Sequence, residues 1–160
     1  MNIDRSKLVY RKATKEDATQ IKRLAEEVII KNYTSFLGAD NTRSYIESGE
    51  SSKEIDSNIE NIIVAQYEDE IIGLTILKED LLHLIMVRHS HQGYGLGGLL
   101  LQYVEKELFK NHNTIRLETF EVNAPTIEFY KKHNWNIIEK EFSEFTNGFI
   151  IKFEKQRING

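Results

Sequence analysis

Residues 82–104 read LHLIMVRHSHQGYGLGGLLLQYV. An apolar run, a polar turn, the glycines Gly93, Gly95, Gly97 and Gly98, and a second apolar run follow without a gap. The first run, Leu81 to Val87, has the length of a buried strand rather than a helix. The second, Leu99 to Phe109, carries apolar residues at 99, 100, 101, 104, 108 and 109, which is helical spacing. The glycines therefore open a helix. Glycine lets the backbone come close to a ligand. The free N–H groups of a helix start, with the positive end of the helix dipole, make an anion site suited to phosphate. The stretch predicts a phosphate-bearing cofactor at the N-terminus of the helix that follows Gly98.

The rest of the composition narrows the class. A chain of 160 residues fits one domain, 1–160, with a sizeable core. Lys plus Arg number 21 against 25 Asp plus Glu, a net charge of -4, which argues against a nucleic-acid binder. There is no cysteine, hence no disulfide, thiolate nucleophile or Cys-based zinc site. The start, MNIDRSKLVYRKAT, has no apolar signal core, and the apolar runs are too short to span a bilayer. The expectation is a cytoplasmic protein that binds neither nucleic acid nor membrane.

In chain order, 8–13 reads as a first strand, and Thr14-Lys15-Glu16-Asp17 has the shape of a capping box. Ile21, Leu24, Ala25, Val28 and Ile29 predict an amphipathic helix over 16–30. Residues 32–41 break that pattern, a short helix covers 41–48, and the polar stretch 49–58 is a loop or a frayed helix. Residues 62–67 and 71–78 form an antiparallel hairpin about Glu68-Asp69-Glu70. After the glycine helix come a strand over 114–120, a helix from Asn123 to about His133 with Pro125 in its first turn, and closing strands over 135–142 and 148–153. A helical crossover between the strands ending at Val87 and Phe120 makes that pair parallel.

The glycines admit two frames. Gly93, Gly95 and Gly98 satisfy G-x-G-x-x-G, and Glu118 stands about twenty residues on, where a dinucleotide fold places its ribose-binding acid. Against this frame, Arg88 to Gln92 separate the strand from the first glycine, and only one full strand–helix–strand unit follows. A P-loop is excluded, because no Gly-Lys-Ser/Thr follows. The other frame is Gln92-Gly93-Tyr94-Gly95-Leu96-Gly97, or Q-x-x-G-x-G. Downstream, Asn123, Phe129-Tyr130 and Trp135 follow N-x5-F/L-Y-x3-G-F, with Asn134 in place of the glycine. Asn is the next-best residue for a left-handed helix end, so that turn survives. His89 stands where many relatives carry Pro. With the opening Tyr10 to Asp17, these features resemble the GNAT superfamily of N-acetyltransferases across almost the whole chain.

The resemblance implies a mixed α/β (α+β) fold: a mostly antiparallel central sheet of about six or seven strands flanked by about four helices. A parallel splay would lie between the strands ending near Val87 and Phe120. It implies transfer of an acetyl group from acetyl-CoA to a primary amine of a small molecule or peptide, by direct attack in a ternary complex. The backbone of Gln92, Gly93, Tyr94, Gly95, Leu96, Gly97 and Gly98 would grip the pyrophosphate. Ile85, Met86 and Val87 would pair with the pantetheine arm, a backbone N–H of Val87 or a neighbour facing the thioester carbonyl. Asn123 would hydrogen-bond the arm, or simply cap its helix, and Phe129 belongs to the same motif. Tyr130 matches the general acid, a phenol that keeps its proton at neutral pH; without the motif it is an ordinary amphipathic tyrosine. Glu118 is one candidate for the general base, and otherwise a solvent-facing residue or the partner of a lysine. His83 is the competing candidate, and otherwise a packed histidine. Many relatives use a water chain instead.

The acceptor would lie near the loop between the first two helices, which carries Tyr33, Phe36, Leu37 and Tyr45; the same residues could instead staple the helices together. His89 and His91, two apart in a turn without a flanking acid, are a solvated turn rather than a metal site, and no metal is expected. A homodimer is compatible with the resemblance. The acceptor's identity and the acyl group's size are not written in the motifs. A catalytically idle coenzyme A-binding module and a dinucleotide-binding protein are the alternatives.

Overall fold

Tyr10, Ile62 to Ala65 and Ile71 to Ile76 alternate or run apolar at strand length, and they set the front of the sheet. The structure, a computed structural model, describes residues 2–158. The strands are β1 (Leu8–Lys12), β2 (Ile62–Tyr67), β3 (Glu70–Lys78), β4 (Leu81–Val87), β5 (Thr114–Phe120), β6 (Asn136–Ser143) and β7 (Gly148–Gln156). The helices are α1 (Ala18–Leu37), α2 (Ala39–Glu47), α3 (Glu50–Ser57), α4 (Leu96–Phe109) and α5 (Ala124–Lys132). Single 3-10 turns cover Arg5–Lys7, Lys15–Asp17, Ile59–Asn61 and His89–His91. The seven strands run in the order β1-β2-β3-β4-β5-β7-β6. The mixed, mostly antiparallel sheet with one parallel pair is the expected architecture.

The described residues form two compact units. The first holds the chain up to Ile76 together with Leu84–Val104. Its β1, β2 and β3 are antiparallel, Tyr10 opposite Ala65 and Val64 opposite Leu74. The core is Ile21, Leu24, Val28 and Ile29 of α1, packed with Ile55 of α3 and Ile62, Val64, Leu74 and Ile76 of the sheet. Burying such side chains stabilises by about 1.5–3 kcal/mol each. Arg11 locks β1 to the start of α1: its guanidinium donates to both Asp17 carboxylate oxygens at 2.8 and 2.9 Å, and the Thr14 N–H donates to the same carboxylate at 2.7 Å. That carboxyl is held down to about 2, first by the Arg11 hydrogen bonds.

Two boundaries differ most from the sequence reading, and for residues 49–58 the helix holds rather than the loop. Helix α1 does not stop at residue 30 but continues to Leu37, because Tyr33, Phe36 and Leu37 extend the stripe of Val28 and Ile29. Gly38, at φ +84°, ends it. Residues 50–57 form a helix held by one apolar anchor, Ile55, with Ser51 also buried. Helix α4 opens at Leu96 rather than Leu99, because the side chain of Leu96 is itself buried, 5% exposed, and pins the first turn.

The second unit holds Leu77–His83 and the chain from Glu105 onward. Here β5 pairs antiparallel with β7 from Thr114–Gln156 to Phe120–Ile150, and β7 with β6. The first residues of β4 pair in parallel with β5 at Leu81–Arg116 and Leu82–Leu117. Asp80 binds the Arg116 guanidinium through both oxygens, at 2.8 and 2.9 Å, beside that parallel start. Pro125 lies in the first turn of α5, and Asn134 at φ +68° closes it, with the Trp135 N–H donating to the Tyr130 carbonyl at 3.0 Å. Ile115, Leu117, Tyr130, Trp135, Ile151 and Phe153 are buried. Among the described residues, no helix is long and apolar enough to cross a membrane.

Candidate functional site

Strand β4 ends on Val87, and the next N–H, that of Arg88, donates to the Ile72 carbonyl of β3 at 2.7 Å. Backbone groups alternate along a strand, so the Val87 N–H points away from β3. The Val87 carbonyl, on the same side, accepts from the Gln92 side-chain amide at 2.9 Å. Gln92 thus folds the 3-10 turn His89–His91 back onto the strand end and fixes where the glycines start. Its side-chain amide is engaged by the chain's own backbone, positioning the turn.

Gly93 and Gly95 sit at φ +87° and +78°, a region that L side chains rarely occupy. A Cβ built on Gly93 meets nothing within 4 Å, and one on Gly95 meets only Arg5 Nη2, at 3.1 Å. These glycines are therefore required by backbone conformation, not by crowding. The first α4 bond runs from the Leu99 N–H to the Gly95 carbonyl, 3.2 Å. The N–H groups of Leu96, Gly97 and Gly98 precede it and have no intrahelical acceptor. An open turn ending in such donors fits a diphosphate. Gly97 and Gly98 lie within the first helical turn rather than ahead of it.

A small apolar cavity beside the strand end is lined by Tyr10, Gly73, Val87, Leu96 and Leu100, among others. Gly73 is a close-approach glycine: a Cβ there would stand 3.0 Å from Leu100 Cδ2 and 3.3 Å from the Met86 carbonyl oxygen. Tyr10 stacks on Tyr103 with ring centroids 4.7 Å apart.

In the second unit, the Asn123 N–H donates to Phe120 and its carbonyl accepts from Thr126 and Ile127. Its backbone caps α5 while its side chain makes no cap bond. Tyr130 is 5% exposed, packed against Phe129, Trp135 and Phe153 at centroid distances of 5.4, 6.2 and 5.6 Å. Burial pushes its phenol well above the usual tyrosine range, so it stays protonated. Glu118 faces Lys152 across the β5–β7 pair, with 3.8 Å between charged atoms, and Lys152 also reaches Glu139 and Glu141. His83 is half-buried on β4.

Tyr33, Phe36 and Leu37 belong to the last turns of α1, not to a loop. Tyr33 lies 5.2 Å from Phe36 and 6.3 Å from Tyr45, centroid to centroid. These rings pack against one another, as helix staples do. Burial raises the Tyr33 phenol to about 12. His91 is buried with Nδ1 2.9 Å from Ser90 Oγ, and His89 is exposed. Among the described residues, no group of three or more His, Asp or Glu is arranged to hold a metal ion.

Residues 26–135 match the acetyltransferase (GNAT) family. The chain belongs to that family. Solved structures share the fold. PaiA N-acetyltransferase from Thermoplasma acidophilum, in complex with coenzyme A, is 20% identical with a TM-score of 0.77, covering 94% of this chain and 99% of its own. The ribosomal-protein-S18-alanine N-acetyltransferase from Escherichia coli is 18% identical with a TM-score of 0.72, covering 96% of each chain. The yncA protein from Salmonella typhimurium, solved with its cofactor acetyl-CoA, is 13% identical with a TM-score of 0.67, covering 96% of this chain and 95% of its own. No curated protein sequence matches the chain.

One residue at the glycine turn of this GNAT chain escaped the sequence reading. Arg5 Nη2 donates to the Tyr94 carbonyl at 3.3 Å, across 89 positions of sequence. No local pattern signals such a contact.

Proposed function

We propose that the chain is an acetyl-CoA-dependent N-acetyltransferase acting on a primary amine of a small molecule or peptide. The observation that carries the reading is the glycine turn: Gly93 and Gly95 in left-handed conformation, opening directly onto the bare N–H groups of α4. The membership of the GNAT family supports coenzyme A as the ligand of that turn. The backbone from Gly93 to Gly98 holds the diphosphate, and Ile85 to Val87 pair with the pantetheine arm. Asn123, its side chain not used in capping, serves the same arm, with Phe129 in support.

In the reaction, the acceptor nitrogen attacks the thioester carbonyl. A C–N bond forms, the C–S bond breaks, the nitrogen gives up one proton, and the thiolate gains one. The Val87 N–H, turned away from β3, is the donor for the developing oxyanion. Tyr130, protonated at any working pH, supplies the thiolate's proton; its burial opposes a lasting phenolate, so reprotonation accompanies the transfer. Glu118, which faces Lys152 at 3.8 Å, and His83 are the side-chain candidates for receiving the amine's proton, with a water chain as the third route. The protein works in the cytoplasm.

Thermal melting with acetyl-CoA, coenzyme A and NAD, one at a time, tests the reading. Acetyl-CoA and coenzyme A should raise the melting temperature and NAD should not. An amine panel assayed by thiol release then identifies the acceptor. Stabilisation by NAD alone would overturn the proposal. Stabilisation by coenzyme A with no thiol release from acetyl-CoA in the presence of any amine would leave an idle coenzyme A-binding module.

A further inference from the structure

The N-terminal 3-10 turn is anchored on both sides of Arg5. Before it, the Asp4 N–H donates to the Tyr67 hydroxyl at 3.2 Å, and the Asp4 carboxylate accepts from the Ser6 N–H and hydroxyl at 3.0 and 2.6 Å. After it, Lys7 Nζ binds the Glu68 carboxylate at 3.0 Å. Both anchors, Tyr67 and Glu68, belong to the end of β2 and its turn. Between them, Arg5 extends to the glycine turn, reaching the Tyr94 carbonyl at 3.3 Å and standing 3.1 Å from where a Gly95 Cβ would be.

Of the basic side chains nearby, His89 is exposed and three others are engaged. Lys7 pairs with Glu68, Arg88 with Glu70 and Glu27, and His91 is buried against Ser90 and Tyr67. Among the described residues, Arg5 has no carboxylate partner. It is exposed, and its guanidinium makes a long bond to a neutral carbonyl. A guanidinium gains far more from a phosphate than from a carbonyl, through paired, charge-assisted bonds. In a chain of net charge -4, a cation fixed over an anion-binding turn has a specific use.

We propose that Arg5 is a diphosphate-binding residue: when the cofactor enters the glycine turn, its guanidinium leaves the Tyr94 carbonyl and pairs with a diphosphate oxygen. This rests on the coenzyme A reading of the turn. Arg5 is a cofactor-binding residue supplied by the N-terminal segment rather than by the glycine motif.

Calorimetric titration of the full chain with coenzyme A and with 3′-dephospho-coenzyme A tests it without any turnover. Arg5→Ala should weaken both ligands by about tenfold and by the same factor. It should leave the melting temperature of the free protein unchanged. Arg5→Lys, which keeps the charge, should recover part of the loss. Failure of the unmutated protein to bind coenzyme A would sink the cofactor reading itself. With that binding intact, equal affinity of Arg5→Ala and the parent would overturn the role of Arg5. A loss for coenzyme A but not for the dephospho form would move Arg5 to the 3′-phosphate and overturn the diphosphate assignment. Arg5→Lys binding no better than Arg5→Ala would show that charge is not what the cofactor meets there.

Discussion

Replacing Asp17 with Asn removes one negative charge from beneath the Arg11 fork and keeps the shape. The Asp17 side chain is 11% exposed and that of Arg11 34%. The carboxyl moves from an ordinary 3.8 in the unfolded chain to about 2 in the folded one. That difference contributes about 2 kcal/mol to stability at neutral pH, an upper value given the solvent at Arg11. Because the folded value is depressed, the contribution is complete above about pH 5, falls to about half near pH 3, and vanishes below about pH 2. Urea unfolding of the parent and Asp17→Asn at pH 7 and pH 3 reads it directly. The gap should be about 2 kcal/mol at pH 7, or about 6 °C in melting temperature, and close to half that at pH 3. A gap of the same size at both pH values would show that packing, not charge, sustains the contact. A gap under about 0.5 kcal/mol would show that solvent already screens the pair.

Tyr130→Phe should cut turnover by about a hundredfold or more while coenzyme A affinity, read by calorimetry, stays the same; unchanged turnover would remove the phenol from the chemistry. Gly95→Ala should cost about 1–2 kcal/mol for the left-handed backbone, a fall of a few degrees in melting temperature, and coenzyme A binding should weaken as well. Lys155→Met should destabilise by about 3 kcal/mol or more. It strands Glu105, whose side chain is 9% exposed and which Lys155 meets at 2.6 Å and the Trp135 indole at 3.3 Å. Adding Glu105→Gln should restore part of that loss, as denaturant melts would show.

The strands and the glycine turn were legible because their signals are local. Val87, Gln92 and the glycines lie within twelve residues, and Asn123 to Trp135 within thirteen. Helix α1 was cut short because Tyr33 and Phe36, aromatic and set among polar residues, read as a break, although 29, 33, 36 and 37 keep the helical period. Helix α3 has no stripe to read: Ile55 alone is its apolar anchor. Spacing alone starts α4 too late, because Gly97 and Gly98 are poor helix formers and the burial of Leu96 overrides their propensity. At the site, the motif named Gln92 but not its bond to the Val87 carbonyl. Arg5 carried no signal, since only the folded β1–β2 pairing brings the N-terminal turn toward Tyr94.

Strand β6 ends the sheet order, with Ile137, Ile138 and Phe142 each about half exposed. Set among them are Glu139, Lys140 and Glu141, and the register shifts between Ile137 and Glu139. Charges and a bulge are what keep such an edge from recruiting another strand. Protection against edge-to-edge pairing therefore rests on three charged side chains and one bulge. Replacing both glutamates by neutral residues would leave Lys140 and the bulge to guard a half-exposed apolar ribbon. Resistance to self-association is the property this rim governs.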